Sequence, residues 1–283
     1  MDTVIIPAYN RPEFLYLCLE HICRAKGADK QGYIFALDYG YDPMIHSVLD
    51  AFPLNFGVIQ MKAPVNRVTK QSANVLNAWV AAAQSANDGD TITLIEDDVF
   101  ISSDFFHYTK CVTQNVWCSV AAVNFNDRRP LTGELDKYYV KRGVYQSIGV
   151  SFKRETILSD IAPHYNMKYL QSPGAYLEAN FPKSKIGRDF IEQDGLIHRI
   201  SEAGNCPVAF PMKPRCFHAG LYGKNRGKYP DGKLKDRIEY VRSIVYSVDE
   251  LKKHVQNEYF IYDSTPTNLN THYYGTFTEE KTV

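Results

Sequence analysis

Glu96, Asp97 and Asp98 stand side by side in LIEDDVFISSDFF, directly after an apolar run that begins at Ile92. Three adjacent carboxylates at a strand end repel one another and lose solvation, so a positive charge is expected among them. Asp97 and Asp98 are neighbours where the strand stops, so one can face a crevice and the other the scaffold. Hard oxygen ligands of this kind suit Mg²⁺ or Mn²⁺, and such an ion neutralises a departing diphosphate as a Lewis acid. The same residues also fit a solvated acidic turn ahead of a helix that starts near Ser102. A second carboxylate of interest is Asp194, in GRDFIEQDGLIHRISEAG (Gly187–Gly204). Phe190, Ile197 and Ile200 recur there at helical spacing, and Asp194 lies one turn from Phe190 and from Ile197. A carboxylate so close to an apolar face is poised for a raised pKa and general-base work. Glu192 competes for that role, but Asp189 with Glu192 three residues on fits a capping box at the helix start.

These residues need a scaffold, and the first half of the chain supplies one. TVII (Thr3–Ile6), YIFALD (Tyr33–Asp38), FGVIQM (Phe56–Met61) and TITLIE (Thr91–Glu96) read as strands. Between them lie helical segments at Pro12–Ala25, near Pro43–Ala51, and at the Ala-rich Val68–Ala86. That alternation predicts an α/β, mostly parallel, doubly wound sheet. Ligands in such sheets bind beyond the carboxyl ends of the strands. Pro7–Arg11, Asp38–Asp42 and Glu96–Asp98 lie at those ends and should converge on one crevice. The second half is less regular. WCSVAAVNF (Trp117–Phe125) and VYQSIGVSF (Val144–Phe152) look like strands of a mixed extension, and Asp189–Ala203 and Leu234–His254 like helices. With no repeat and no clear linker, one domain over 1–257 is expected, its halves meeting near 128, followed by an aperiodic tail over 258–283.

Hydrophobic residues at 45% suit a full core, and a formal net charge of zero leaves polyanion binding to a local patch. The opening MDTVIIPAYN has no basic region before a long apolar stretch, and no run of about 18 uncharged apolar residues occurs. Neither a signal peptide nor stable membrane insertion is therefore expected. Six cysteines without a CxxC pair read as reduced thiols of a cytoplasmic protein, or of the host cytoplasm for a viral one.

VIIPAYNRPEFLYLCLEHI resembles the opening of nucleotide-sugar glycosyltransferases of the GT-A fold, and LIEDDVFISSDFF resembles their acidic metal-binding motif. The Glu-Asp-Asp form is similar to that of N-acetylglucosaminyltransferase I and its relatives. VWCSVAAVNFND (Val116–Asp127) and PRCFHAGLYGKNRG (Pro214–Gly227) look like later segments, so the likeness spans roughly residues 3 to 227. The resemblance implies a metal-dependent inverting transfer of a sugar from a UDP-sugar to an acceptor hydroxyl. Pro7, Ala8, Tyr9, Asn10 and Arg11 would line the nucleotide pocket, Asp38 would accept from the base, and Arg67 would approach the diphosphate or sugar. Asp98 would bind the metal, with Glu96 and Asp97 holding ribose or sugar hydroxyls. Asp194 would be the base, although the pair here reads Gln193-Asp194 where relatives often have Glu-Asp. His218 would be a third metal ligand or a diphosphate contact; on the residues alone it is equally a satisfied core histidine.

From Lys213 to Arg237, eight basic residues face only Asp231 and Asp236, a net charge of +6, with glycines at 220, 223 and 227. In GT-A enzymes such a loop closes over the donor diphosphate, a role for two or three cations, of which Lys224, Arg226 and Lys228 are the central ones. The excess suits an anionic acceptor. One class is a hydroxymethylated pyrimidine in DNA, bound through its backbone; the other is a lipid-linked, polysaccharide or protein glycan. A non-catalytic nucleotide-sugar-binding module is the remaining reading, and intact Asp98 and Asp194 argue against it. A nucleotidyltransferase would show a Gly-rich loop where PAYNRPE has none. The sugar and the oligomeric state are left open.

Overall fold

A computed structural model describes residues 1–62, 70–122, 138–220 and 232–247. Its centre is β1 (Thr3–Ala8), whose Val4, Ile5 and Ile6 are buried on both faces, as an interior parallel strand requires. β1 runs parallel to β2 (Gly32–Leu37) and, on its other side, to β4 (Thr91–Leu94); β3 (Phe56–Gln60) adds to β2 in parallel. Pairing of β1 with β4 ends at Ile5↔Leu94. Pro7 lies beyond it, so the amide hydrogen it lacks interrupts no ladder on that side.

The crossovers are helices. α1 (Pro12–Arg24) starts on a proline, which needs no amide hydrogen in the first turn, and buries Phe14, Leu15, Leu17, Cys18 and Ile22. α2 (Met44–Leu49) is short, and α3 (Lys70–Ser85) uses Ala73, Ala78, Ala82 and Ala83 to lie close on the sheet. These elements follow the expected order, with shorter ends.

Beyond β4 the sheet becomes mixed, as anticipated for the C-terminal extension. After β5 (Val99–Ile101), α4 (Phe105–Thr113) leads into β6 (Cys118–Val120) and β7 (Tyr138–Arg142), followed by β8 (Val150–Lys153). Next come the short helix α5 (Arg154–Thr156), which runs on to Ile161, and α6 (Met167–Gln171) and α7 (Pro173–Asn180). α8 (Gln193–Ala203), β9 (Pro207–Pro211), β10 (Cys216–His218) and α9 (Leu234–Val245) complete the described order. Eight described strands form one sheet in the order β3-β2-β1-β4-β8-β6-β9-β7, with β8 and β7 antiparallel to their neighbours. β5 and β10 form a separate two-stranded antiparallel ribbon. Gly149 lets that ribbon sit on the sheet. Its φ is +61°, and a Cβ there would come within 2.9 Å of the Ala121 side chain and 3.1 Å of the Cys216 sulfur. Among the described residues no helix is long and apolar enough to cross a membrane. The expected 258–283 tail lies outside the described residues.

The helix expected from Asp189 begins instead at Gln193, with Glu192 as a cap residue that makes no side-chain capping bond. The capping box is therefore not formed. Phe190, assigned to a buried face, is 62% exposed, whereas Ile197 and Ile200 are buried. The cause is Arg199, itself buried, whose guanidinium donates to the carbonyls of Phe190 at 2.6 Å and of Gly187 and Gly195 at 2.9 Å. The Gly187 and Phe190 carbonyls thus serve a side chain, and the segment ahead of Gln193 stays a turn.

Candidate active site

β4 ends at Leu94, and the Ile95 amide still donates to the Ile5 carbonyl at 3.0 Å. The chain then turns back on itself, the Val99 amide donating to the Glu96 carbonyl at 2.9 Å, and enters β5. Pairing of β5 with β10 sets His218 opposite Val99, and the Ala219 amide donates to the Asp98 carbonyl at 2.8 Å. His218, remote in sequence, is thereby delivered to Asp98 with Nε2 3.2 Å from Oδ2. Ligand atoms of Glu96, Asp98 and His218 all lie within 4.8 Å of one another. Asp97 turns to the other partner: the Arg11 guanidinium bridges Asp97 and Asp98. Arg11 is thus the positive charge that the acidic run calls for, and it sits on the carboxylates it was expected only to neighbour.

Burial works against every charge in this cluster, and the neighbours decide which survive. Burial raises Asp98, but Arg11 and His218 overcome it and hold the carboxyl well below the usual carboxylate range. Asp97, with Arg11 opposing burial and Asp98 adding repulsion, is pushed up to about 6. Glu96 is pushed up to about 8 by burial and by the charges of Asp98 and Asp194. Burial lowers His218, but Asp98 reverses this and leaves it raised. Asp98 Oδ1 is buried and has no hydrogen-bond partner. A charged carboxylate with one oxygen unengaged, beside a second carboxylate and an imidazole, is a donor set that fits a hard divalent cation.

The first turn of α8 carries Asp194, near enough for its charge to act on Glu96. Gln193 anchors the helix start: its amide donates to Ser72 Oγ on α3 at 2.9 Å, and Ser72 Oγ donates back to Gln193 Oε1 at 3.0 Å. Asp194 accepts from Ser147 Oγ at 3.2 Å and from Gln193 Nε2 at 3.3 Å. Both donors are neutral. Burial therefore prevails, and Asp194 is pushed up to about 6.

At the carboxyl ends of β1 and β2, the Asp42 amide donates to the Tyr9 carbonyl at 2.6 Å, so the first two polar loops meet. Arg11 joins them to the third. Pro7 and Ala8 belong to β1, Tyr9 is 39% exposed, and Asn10 is half-buried. Asp38 is buried, accepts from the Tyr39 amide at 2.7 Å, and is raised by burial against the pull of Lys70. Lys70 Nζ lies 3.7 Å from Asp38 Oδ2 and 3.7 Å above the Tyr9 ring. Nothing in the sequence marked Lys70, and Ser147 lies in a stretch read only as a strand.

Arg67, Lys224, Arg226 and Lys228 lie outside the described residues. The flanking cations change the account of the basic stretch. Arg215 is 1% exposed and pairs with Asp104 at 3.0 Å; Arg237 pairs with buried Glu13 at 2.6 Å and with Asp42 at 3.7 Å. Two of the eight charges are thus neutralised inside the scaffold and do not bear on an anionic acceptor.

No protein-family model and no curated protein matches the chain. Among solved structures, it is similar to S. aureus TarS 1–349, with 10% identity, a TM-score of 0.47, and cover of 78% of this chain and 61% of that one. The galactosyltransferase LgtC in complex with donor and acceptor sugar analogues is similar at 11% identity and TM-score 0.45, over 74% of this chain and 72% of that one. Mouse xyloside xylosyltransferase 1 follows at 12% identity and TM-score 0.41, over 72% and 82%. At these levels of likeness, the reading of the site rests on its own chemistry.

Proposed function

We propose that the chain is a glycosyltransferase that moves a sugar from a UDP-sugar to an acceptor hydroxyl, with inversion. The observation that carries this reading is the pairing of two unlike carboxylate sites: the Glu96–Asp98–His218 cluster, with Asp98 held ionised, and Asp194, poised at about 6. The two are close enough for the charge of Asp194 to act on Glu96. The sequence likeness to GT-A enzymes supports the same assignment.

Glu96, Asp98 and His218 would hold Mn²⁺ or Mg²⁺, which when bound supplies positive charge for a leaving diphosphate. Asp194 takes the proton from the acceptor hydroxyl. That oxygen forms the bond to the anomeric carbon from the face opposite the diphosphate, and the old carbon–oxygen bond breaks with its electrons leaving on the nucleotide. A base near pH 6 is matched to this task at neutral pH. Ser147 and Gln193 orient the Asp194 oxygens without adding a charge that would weaken the base. Tyr9, Asp38 and Lys70 offer a ring, a carboxylate and an ammonium to the base of the nucleotide.

The acceptor reading favours a hydroxymethylated pyrimidine in DNA, supported by Lys224, Arg226 and Lys228 and no longer by Arg215 or Arg237. The test is transfer from a panel of UDP-sugars with Mn²⁺ onto hydroxymethylated DNA, read by nucleoside mass spectrometry. A hexose or pentose mass on the modified base is expected. Metal-dependent hydrolysis of the UDP-sugar without DNA modification moves the acceptor to a glycan or lipid-linked sugar. Failure of every UDP-sugar to bind overturns the enzyme assignment.

A further inference from the structure

KSKIGRDF, residues 183–190, carries Lys183, Lys185 and Arg188 against one acid, Asp189. These four side chains are exposed, as is Phe190 at its end. The segment runs back along α8 and is pinned to it in order. Ser184 Oγ donates to Glu202 at 2.6 Å and the Lys185 amide at 3.1 Å. Further on, the buried Arg199 guanidinium holds the carbonyls of Gly187 and Phe190. A Cβ on Gly195 would lie 2.1 Å from the Phe190 carbonyl oxygen, so the missing side chain there lets the segment close on the first turn of the helix. Gly195 is the residue after Asp194, which places the backbone of Phe190 against the turn that carries the proposed base. Tyr169 Oη, donating to the Ile191 carbonyl at 2.9 Å, fixes the far side of the same turn.

A buried guanidinium satisfied by carbonyls is a costly way to shape a surface turn, and what it holds in place is an exposed ring behind a row of cations. From Glu202 to Asp194 the row spans about 12 Å of helix, the reach of about three or four phosphates along one strand of DNA. Cations that track phosphates, ending in an aromatic face on which a base stacks, are the combination that holds a nucleic-acid strand. A neutral glycan would use the ring and leave the cations without a role. Arg188 already meets Glu178 at 3.3 Å, but both are exposed, and such a pair is weak enough to yield to a phosphate. We propose that residues 183–190 form the docking track for a DNA acceptor, with Lys183, Lys185 and Arg188 on its phosphates and Phe190 stacked on a base next to the one that reacts at Asp194. This inference rests on the glycosyltransferase reading and requires none of Lys224, Arg226 or Lys228.

The test compares the full chain with Phe190→Ala and with the triple variant Lys183→Gln, Lys185→Gln, Arg188→Gln. The probe is a short fluorescein-labelled DNA containing hydroxymethylcytosine, single-stranded and duplex, followed by anisotropy between about 50 and 200 mM salt. The substituted side chains are exposed, so both variants should keep the wild-type Tm and the Mn²⁺-dependent hydrolysis of UDP-sugar. In the triple variant the slope of log K against log salt should shrink by about 2–3, the release expected for three phosphates. Phe190→Ala should weaken binding by about 5–100-fold at every salt concentration and leave the slope in place. DNA binding that is unchanged in both variants overturns the track while leaving the DNA acceptor standing. A wild type that hydrolyses UDP-sugar but does not bind DNA overturns the track and the DNA acceptor together. A neutral glycan acceptor whose KM rises in Phe190→Ala, with no response to salt, gives the ring to a sugar and overturns the track as well. Failure of every UDP-sugar to bind is a separate result, which sinks the glycosyltransferase reading.

Discussion

Burial acts against the charge of Asp98, past the end of β4, and of Asp194, at the start of α8, yet their surroundings drive the two in opposite directions. Asp98 has a guanidinium and an imidazole against it and stays ionised. Asp194 has only a hydroxyl and an amide, and burial pushes it up to about 6. The first environment builds a fixed anion that holds cations. The second builds a proton acceptor. Carboxyl groups of similar intrinsic acidity can take separate roles once their environments pull their pKa values apart, and that divergence is the ground for the roles proposed for Asp98 and Asp194.

The most severe way to break this contrast is to remove the fixed anion. Asp98→Ala should lower transfer by more than about 10³-fold and abolish Mn²⁺ binding in a calorimetric titration, because His218 and Arg11 lose their shared partner. Retained metal affinity would show that Glu96 and His218 suffice. Next in size, Asp194→Asn should reduce kcat by about 10²–10⁴-fold while donor and Mn²⁺ still bind. In wild type the same group predicts that kcat falls as pH drops through about 6, since the base must be unprotonated. A flat profile between pH 5 and pH 7 would remove Asp194 from the mechanism.

A smaller effect tests how the acidic end is assembled. Gly149→Ala should cost on the order of 2 kcal/mol in a urea melt, because the added methyl meets Ala121 and Cys216 and the backbone is left-handed there. It should also weaken Mn²⁺ binding, since the displaced ribbon carries His218. Unchanged metal affinity in a destabilised Gly149→Ala chain would separate His218 from the ribbon's packing. The least effect is on stability at Asp194. Its folded pKa, about 6, stands above the ordinary 3.8, so the folded chain binds the extra proton and loses stability as pH rises from about 4 through 6. Asp194→Asn should therefore be more stable than wild type at pH 7.5, by about 1 kcal/mol, and similar to it near pH 4. A variant less stable than wild type at pH 7.5 would mean that the charge is better satisfied than the Ser147 and Gln193 contacts indicate.

The parallel half of the fold was legible in outline because its signals are local. TVII and TITL are β-branched runs, Pro12 opens a helix, and the alanines of α3 mark a close-packed crossover. The same locality marked Glu96–Asp98 as a candidate site, since three adjacent carboxylates after an apolar strand need a positive partner wherever the chain goes. Local rules failed where a distant side chain intervened. Asp189–Glu192 has the capping-box pattern, but Arg199 takes the carbonyls of Gly187 and Phe190, and the helix begins at Gln193. The basic stretch looked like a continuous anion-binding surface, but Arg215 and Arg237 are drawn into the scaffold by Asp104 and Glu13. Lys70 carried no pattern at all, because one side chain at one position has no periodicity to read.

Residue type and order were therefore enough to specify the strand–helix alternation, the meeting of polar loops at the strand ends, and the acids that lie there. Which acid stays charged, which one titrates near 6, and which histidine joins them depend on tertiary contact alone. The physical reason is that chain periodicity reports how a segment meets its nearest layer, whereas a pKa or a ligand set depends on burial and on charges a few ångströms away in space. The pairing of β5 with β10 that brings His218 to Asp98 is of that second kind.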